Sequence, residues 1–414
     1  MGAILKAIPL GTLGKFEAMA SADKPMMCSR NGTSVDISTE RVEAGATMKP
    51  LPPQANLETL PILKTLNNAN RALAELKGRA AIIPNQGILI DTLVLQEAKA
   101  SSEVENIVTT QDELFQQDLF PLGPDSHAAK EVALYRDALK LGFECIQDSQ
   151  GVIRNSTLIA MYQLLKGRVD GFRAAPGTEL RHDLTGELVY LPPQDPEAII
   201  ALMADLESFI NDDTRSDLDP LIKMALIHHQ FESIHPFPDG NGRIGRILNV
   251  LYLTRSGLLE IPILYLSRFI IANKSEYYRR LQDVRDSGNW ADWVLYVLRG
   301  VEVTAQSTLA LVDGIRIQMQ SMKQRMRSEL PKLYTQDLLN NLFRHPYTRI
   351  EYVCKDLGIK RQTAAKYLDL LCQHGFVAKH QQGRNNYYIN EELVGLFLQD
   401  ASSSTSLLKN ESSR

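Results

Sequence analysis

Apolar residues recur at helical spacing through most of the chain. The pattern is clear from Leu57 to Leu76, and most segments from there to about residue 310 continue it. It predicts helices, because a 3.6-residue repeat gives each helix one apolar face. A second helix is predicted from about Asp91 to Ala98. Residues 183–193 instead combine a turn at Asp183–Gly186 with β-favouring side chains and predict a β-hairpin.

The rest of the chain divides into three regions. Residues 1–48 show no sustained periodicity, so we expect them to be poorly ordered; alternatively, the functional chain begins near Met48. Residues 311–398 lead from a connecting helix into a helix, helix, helix, hairpin pattern that resembles a winged helix-turn-helix. The serine-rich residues 399–414 are expected to be disordered. The predicted fold class is all-α, with a β-hairpin on a helical core at 49–310 and a small winged helix-turn-helix domain.

Composition and charge exclude several classes of protein. The 414 residues are 44% hydrophobic and 23% charged, which excludes wholesale disorder. A net charge of -4 does not suit a protein that binds polyanions over its whole surface. The four cysteines form no C-x-x-C pair, so neither a zinc ribbon nor a disulfide scaffold is expected. Without a long apolar run or a recognisable secretory signal, the sequence predicts a cytoplasmic protein with no membrane span.

The densest group of chemically active side chains lies at residues 235–246, between two helices that are apolar on most faces. The first of these helices is predicted to end at His235, because the proline that follows disfavours helix at the preceding residue. Gly240 and Gly242 allow the backbone to approach a ligand closely. The N-terminus of the next helix then presents free N–H groups, which attract anions.

The charged residues of this segment suit a nucleoside triphosphate. Arg243 and Arg246 are three residues apart on a helix, so they can face one side and bind phosphate oxygens. Asp239 is a typical Mg²⁺ ligand beside phosphates. His235 titrates near neutrality and is suited to act as a general base. The segment therefore predicts a nucleotide site with a base, though not a P-loop, because G-x-x-x-x-G-K is absent.

The same segment matches every defined position of H-x-F-x-D/E-G-N-G-R-x-x-R, the motif of the Fic (Fido) family. Residues 52–102 also resemble the N-terminal helical segment of bacterial Fic proteins, and Pro262–Ser267 resembles a segment that follows their motif. The resemblance covers about residues 50–310. It implies transfer of AMP from ATP to a hydroxyl of a target protein, or of the protein itself, with release of pyrophosphate.

The resemblance also implies a role for each motif residue. His235 would deprotonate the target hydroxyl and Asp239 would bind Mg²⁺. The residues that would bind the triphosphate are Asn241, Arg243 and Arg246, for the α-, β- and γ-phosphates, and the backbone N–H groups of Gly240 and Gly242. The hairpin would be a flap that docks the target backbone as an added strand, with a plain surface hairpin as the alternative. Tyr265, Asn273 and Tyr277 would either build the adenine pocket or only pack the helices.

Residues 101–106, Ser-Ser-Glu-Val-Glu-Asn, fit the inhibitory motif S/T-x-x-x-E-G/N of the same family. Ser101 takes its first position and Glu105 its glutamate, which in the family pairs with the second motif arginine, here Arg246. Taken alone, the segment also fits a capped, solvent-facing helix start. The resemblance implies a nucleotide site held inactive by Glu105. In some relatives the same glutamate supports removal of AMP, so a de-AMPylase is an alternative.

The C-terminal region leaves a second class of function open. Lys360, Arg361 and Lys366 open the predicted recognition helix, but the positive excess of residues 330–395 is small. Binding of DNA and binding of a protein, including a second copy in a homodimer, are therefore both retained. The alternative function is a DNA-binding transcriptional regulator whose Fic core senses nucleotide.

Overall fold

The computed structural model describes residues 5–9, 48–110, 113–114, 127–182, 185–382 and 385–398. This part of the chain is mostly helical, as the sequence predicts. Its helices up to residue 255 are α1 (Leu60–Ala80), α2 (Gly87–Val104), α3 (His127–Asp148), α4 (Asn155–Lys166), α5 (Pro196–Asn211), α6 (Pro220–Ile234) and α7 (Asn241–Arg255). The later ones are α8 (Ser267–Ala272), α9 (Lys274–Ser287), α10 (Trp290–Glu329), α11 (Gln336–Arg344), α12 (Ile350–Leu357) and α13 (Arg361–Gln373). None of these helices is long and apolar enough to cross a membrane.

Helices α6 and α7 form the buried centre of the molecule. α6 begins at a favourable cap, because the Asp219 carboxylate accepts a hydrogen bond from Leu221 N and Pro220 occupies the first turn. Nearly every residue of both helices is buried. The 40-residue helix α10 packs against α6, where the Trp293 indole donates to Ala225 O at 2.8 Å. The segment between α6 and α7 is therefore held from both ends by the core.

Helix α2 continues to Val104, beyond the predicted end near Ala98. The sequence pattern underestimates it because positions 99–103 carry no apolar repeat. Ser101 and Ser102 are nevertheless buried, since the helix packs against α3, α7 and α8 rather than facing solvent. Ser101 thus lies inside the helix, and Glu105 directly follows its last turn.

A small antiparallel sheet in the order β1-β2-β3 lies beside the helices, with β1 at Leu5–Pro9, β2 at Thr178–His182 and β3 at Leu188–Tyr190. The predicted hairpin is present, but its first strand precedes the turn, so the hairpin begins before residue 183. Strand β1 differs from the expectation that residues 1–48 lack regular structure: it pairs with the whole of β2. The rest of that region, residues 1–4 and 10–47, lies outside the described residues.

The C-terminal elements follow the predicted order. Helices α11, α12 and α13 accompany a three-stranded sheet in the order β4-β6-β5, with β4 at Tyr347–Thr348, β5 at Ala378–Gln382 and β6 at Asn385–Ile389. Strand β4 is an addition that the sequence pattern did not predict, and assignment to the winged helix-turn-helix class stays a prediction. The proposed boundary at residue 311 falls within α10, which runs through both regions. Residues 399–414 lie outside the described residues.

Candidate active site

His235 caps the C-terminus of α6 in a left-handed backbone conformation, with φ 50° and ψ 58°. Arg173 fixes this conformation: its Nε donates to His235 O at 2.8 Å and its Nη2 to Ile234 O at 3.3 Å. The backbone N of Arg173 also donates to Pro236 O at 2.8 Å. The turn that begins the motif is thus held by one buried guanidinium group.

The imidazole of His235 is buried and neutral. Burial, together with the positive charges of Arg173 and Arg285, lowers its pKa to about 3, below the near-neutral titration that the sequence predicts. Its Nδ1 has no hydrogen-bond partner within the described part of the chain. A neutral imidazole is the protonation state that a general base requires.

The loop after His235 is braced from within. Phe237 N donates to Asn241 Oδ1 at 2.8 Å, and Asn241 Nδ2 donates to Phe237 O at 2.7 Å. The Phe237 ring stacks on Tyr162 with ring centroids 4.3 Å apart. Gly240 takes φ 77°, which a side chain would strain. The amide of Asn241 therefore shapes the loop, and its predicted contact with the α-phosphate stays a prediction.

Arg246 is bound by two residues of the α2 end. Its Nη2 donates to Glu105 Oε1 at 2.9 Å and to Ser101 O at 2.9 Å, and its Nε donates to Ser101 Oγ at 2.8 Å. Only 2% of Arg246 is exposed. Burial works against the charge, but the Glu105 carboxylate outweighs it and raises the pKa of Arg246 above its usual value. The structure thus brings together all three residues that the inhibitory motif predicts to meet.

The other charged motif residues are also paired inside the protein. Arg243 Nη1 donates to Glu131 Oε2 of α3 at 2.6 Å, and 2% of Arg243 is exposed. Lys166 Nζ lies 2.7 Å from Asp239 Oδ2. Although burial raises it, the pKa of Asp239 is held below its usual value by Lys166 and by Arg243. Neither Glu131 nor Lys166 was identified in the sequence.

Asp239 fits a magnesium ion that is shared with a substrate. Its carboxylate is ionised and its side chain is 65% exposed, so it can exchange Lys166 for another cation. The described residues contain no group of three or more His, Cys, Asp or Glu side chains that could hold a metal by themselves. Mg²⁺ commonly binds through one or two carboxylates together with substrate phosphates. Asp239 suits that arrangement and not a resident protein-only metal site.

A cleft of about 40 Å³ lies between the motif, the end of α2, strand β2 and α9, whereas Asp239, Asn241 and Arg243 do not line it. Its lining residues are Glu105, Leu180, Glu232, His235, Gly242, Arg246, Tyr277, Tyr278, Leu281 and Arg285. Five of these were predicted from the sequence. The additional α9 residues share one helix face, since positions 277, 281 and 285 are four residues apart. That spacing is the signal that could have identified Arg285.

Arg285 connects the flap to the cleft. Its guanidinium group lies 4.0 Å from the centroid of the Tyr190 ring in β3, and its Nε donates to Ser233 Oγ at 3.0 Å. Tyr190 Oη donates to Ser233 O at 3.1 Å. The flap is thus fixed to the last turn of α6, next to the imidazole of His235.

Of the three residues predicted for an adenine pocket, Tyr277 lines this cleft and the other two do not. Tyr277 Oη lies 2.8 Å from His228 Nε2. Tyr265 Oη donates to Pro262 O at 2.7 Å, and Asn273 Nδ2 donates to Phe269 O at 2.9 Å. Both polar groups are thus used to hold their own segments, and the adenine assignment stays a prediction.

Glu232 is a buried carboxyl group that the sequence did not single out. It lines the cleft one turn before His235, and its Oε1 has no partner among the described residues. Burial raises its pKa to about 7, and the nearby Glu105 acts in the same direction while Arg246 opposes both. The cleft therefore contains two carboxyl groups, Glu105 and Glu232, that both interact electrostatically with Arg246.

Three family models match the chain. Residues 63–144 match the N-terminal model of the Fic/DOC family, and residues 152–253 match the Fic/DOC family model itself. Residues 318–393 match the model described as protein adenylyltransferase SoFic-like, C-terminal domain. The middle match contains the whole 235–246 motif. The chain therefore contains domains that match the Fic/DOC family.

Curated relatives match over shorter stretches. Protein adenylyltransferase fic-1 of Caenorhabditis briggsae is 33% identical over 114 residues, which are 28% of this chain and 21% of that protein. A probable protein adenylyltransferase of Aquifex aeolicus is 26% identical over 186 residues, 44% of this chain and 55% of that protein. The chain thus spans between a fifth and just over half of the length of these relatives.

Solved structures of the family are also similar to the chain. A Fic family protein from Desulfovibrio desulfuricans has a TM-score of 0.46 at 19% identity, covering 79% of this chain and 95% of that one. Fic-1 of Caenorhabditis elegans has a TM-score of 0.47 at 20% identity, covering 61% and 74%.

Proposed function

We propose that this protein is an auto-inhibited protein adenylyltransferase, which transfers AMP from ATP to a hydroxyl group of a target protein or of itself. The observation that carries the proposal is the cleft in which a neutral, buried His235 faces the phosphate-binding segment while Glu105 pairs with Arg246. The names of the curated relatives support the same activity.

In the proposed reaction, His235 accepts the proton of the target hydroxyl as its oxygen attacks the α-phosphate. A new P–O bond forms, the bond to the β-phosphate breaks, and pyrophosphate leaves. Gly242 N–H, Arg243 and Arg246 would hold the phosphates and neutralise the charge that builds up on them. Magnesium bound at Asp239 would supply additional charge neutralisation.

Auto-inhibition follows from the pairing of Arg246. Its Nη2 is directed at the Glu105 carboxylate, and both remaining contacts are to Ser101. A γ-phosphate that approached Arg246 would meet the negative charge of Glu105. ATP would then bind in a pose that does not align the α-phosphate with His235, until Glu105 is withdrawn.

The flap offers a docking edge for the target. Strand β1 of this chain already fills one edge of β2 along its full length in antiparallel register, so a target segment would dock there by replacing β1. A target segment bound in the same manner would run beside Arg285 and the cleft. Main-chain hydrogen bonds would supply affinity without demanding a particular sequence.

The test is transfer of label from ATP carrying radioactive phosphorus at the α-position. The Glu105→Gly variant should label itself or lysate proteins about tenfold more than the wild type, because Arg246 is released from its ion pair. A tenfold rise corresponds to roughly 1.4 kcal/mol of lost ion-pair stabilisation. Label at the γ-position should not transfer. Adding His235→Ala to Glu105→Gly should abolish labelling, since the general base is lost.

The control is Glu103→Gly, which places glycine in the last turn of α2, two residues before Glu105, at a carboxylate that pairs with Lys99 instead of Arg246. It should label like the wild type. Equal labelling by the wild type and Glu105→Gly would contradict auto-inhibition, and label retained by His235→Ala would contradict the mechanism. Faster loss of AMP from a pre-labelled target with the wild type would identify a de-AMPylase instead.

A further inference from the structure

A second cleft lies away from the active site, where α2 and α3 meet the C-terminal elements. Its volume is about 270 Å³, close to the lower end of the roughly 300–1,000 Å³ typical of small-molecule sites. The side chains that line it come from three parts of the chain: Asp91, Leu95, Arg136, Lys140, Arg344, His345, Pro346, Tyr347, Tyr352, Lys355 and Asp356.

Positive charge exceeds negative charge in this cleft. Lys140 and Arg344 share a single carboxylate, Asp91, with Arg344 Nε at 2.5 Å from Asp91 Oδ2. Lys355 forms no ion pair with a carboxylate of the described residues. The remaining carboxylate, Asp356, already accepts from Asn341 Nδ2 at 2.8 Å. Among the lining residues, four cations (Arg136, Lys140, Arg344 and Lys355) face two carboxylates (Asp91 and Asp356), which leaves a surplus of two positive charges.

The chemistry of the lining favours a phosphate group over a planar base. Lysine and arginine are the usual ligands of phosphate oxygens. The Tyr352 ring, which could stack on a base, is already packed against His345 at 4.6 Å and Arg349 at 4.5 Å. The Tyr347 ring is stacked on Tyr387. The cleft thus offers charge without a free aromatic face.

We propose that this cleft is a binding site for a small phosphate-bearing anion, held by Lys140, Arg344 and Lys355. Its occupant would be inorganic phosphate or the phosphate group of a small metabolite. A long acidic partner fits less well, because the cleft is bounded on three sides by α2, α3 and the C-terminal elements.

The site also touches the helix that carries the inhibitory residues. Asp91 and Ser101 lie ten residues apart on α2, about 15 Å at 1.5 Å per residue. An anion that drew Lys140 and Arg344 away from Asp91 would release the start of α2, whose end presents Ser101 and Glu105 to Arg246. This second step rests on the proposed function, whereas binding of the anion does not.

Binding can be measured by calorimetric titration of the full-length protein with inorganic phosphate. The active-site arginines also attract phosphate, so Arg246→Ala is used as the background in which that site is weakened. We expect this variant to retain a phosphate-binding event. Adding Lys355→Glu should weaken that event by about tenfold or more, since a charge is reversed at close range.

The matched control is Lys332→Glu, the same charge change at an exposed C-terminal position outside the cleft. It should bind phosphate like the background. Equal affinity in the Lys355→Glu and Lys332→Glu variants, or no binding to the Arg246→Ala protein, would overturn the proposal. Titration with sugar phosphates distinguishes a metabolite from inorganic phosphate, since a metabolite site should prefer one of them.

The link to α2 has a separate measurement that needs no catalysis. These variants are made in the protein that retains Arg246. Phosphate should speed hydrogen exchange of the amides at residues 98–104 more in Lys332→Glu than in Lys355→Glu, because only Lys332→Glu keeps the positive charge of Lys355 in the cleft. Identical exchange in both variants would overturn the link. Failure of AMP transfer alone would contradict the proposed function and leave the phosphate-binding result intact.

Discussion

Each charged residue of the motif carries a counter-ion from elsewhere in the chain. Arg246 pairs with Glu105, Arg243 with Glu131, and Asp239 with Lys166. In the proposed complex, a triphosphate and its metal ion would replace these partners, so one set of ion pairs would be exchanged for another. Arg243 and Arg246 are each only 2% exposed, and buried charges are stable only while they remain paired.

The pairing of Arg243 leads to a prediction about stability. Glu131→Gln should lower the free energy of unfolding by about 1–3 kcal/mol, because removing one partner leaves a buried charge uncompensated. ATP would supply the missing negative charge, so the increase in Tm on adding ATP should be larger in this variant than in the wild type. Thermal unfolding with and without ATP measures both.

The control for that measurement is Glu103→Gln, which changes an equivalent carboxylate in a partly exposed pair with Lys99. Its Tm should stay near that of the wild type, since such pairs contribute little. An ATP-induced shift that is the same in Glu131→Gln and in the wild type would show that Glu131 is not the counter-ion of an ATP-binding arginine.

Sequence alone predicts the motif residues because their chemistry is local. Proline at 236 and the glycines of the loop end one helix and begin the next within a few positions. Glu131 and Lys166 could not be found in this way, since helices that are distant in the sequence bring them to the site. Tyr265 and Asn273 show the converse, because their positions near the motif in sequence do not place them in the cleft.

At the scale of elements, α2 is held at three points along its length. Asp91 pairs with Arg344 and Lys140, and Glu97 accepts hydrogen bonds from Tyr135 and Ser267. The end of the helix then contacts Arg246. A rigid helix with contacts at both ends can transmit a change at one end to the other.

Loss of the first contact should weaken the last one. Arg344→Ala removes the bond between α11 and α2, so we expect AMP labelling to rise by about two- to fivefold, since exposed ion pairs contribute up to roughly 1 kcal/mol. The measurement is the α-phosphate label assay described for Glu105→Gly.

Arg279→Ala is the matched control, because it breaks an exposed pair with Glu276 on α9 that does not involve α2. Its labelling should equal that of the wild type. A rise of the same size in both variants would show that Arg344 has no specific influence on Glu105.

The elements that sequence analysis missed share a cause. The last turn of α2 has a polar sequence and becomes buried only because Arg246 and its neighbours need partners there. Strand β1 forms through pairing with β2, more than 160 positions along the chain. Local periodicity cannot predict either contact. It does predict the burial of α6 and α7, because their own residues are apolar on most faces.

At the scale of the whole molecule, two buried carboxyl groups tie stability to pH. Burial raises the pKa of Glu97 to about 7, against bonds from Ser267 and Tyr135, and the pKa of Glu232 to about 7 as well. Both lie above the ordinary value of 4.5. Between these limits the folded protein keeps protons that the unfolded chain has released, so stability falls as pH rises.

We therefore expect Tm to decrease from pH 5 to pH 7.5 and to level off above that. The free energy of unfolding should fall by at most about 1.4 kcal/mol per pH unit for each carboxyl group. Glu97→Gln should make the decrease smaller, because it removes one of the two groups, and Glu103→Gln should not. Thermal unfolding across this pH range measures it; a decrease that is unchanged in Glu97→Gln would contradict the assignment.

The left-handed backbone conformation of His235 sets the stability of the fold against the proposed activity. A residue with a side chain costs about 1–2 kcal/mol in that region of backbone space, whereas glycine adopts it freely. Backbone conformation at this position therefore favours glycine, which would remove the proposed base. Laboratory evolution of this protein for heat resistance alone should therefore replace His235 with glycine, and only selection that also demands the proposed activity should retain the histidine.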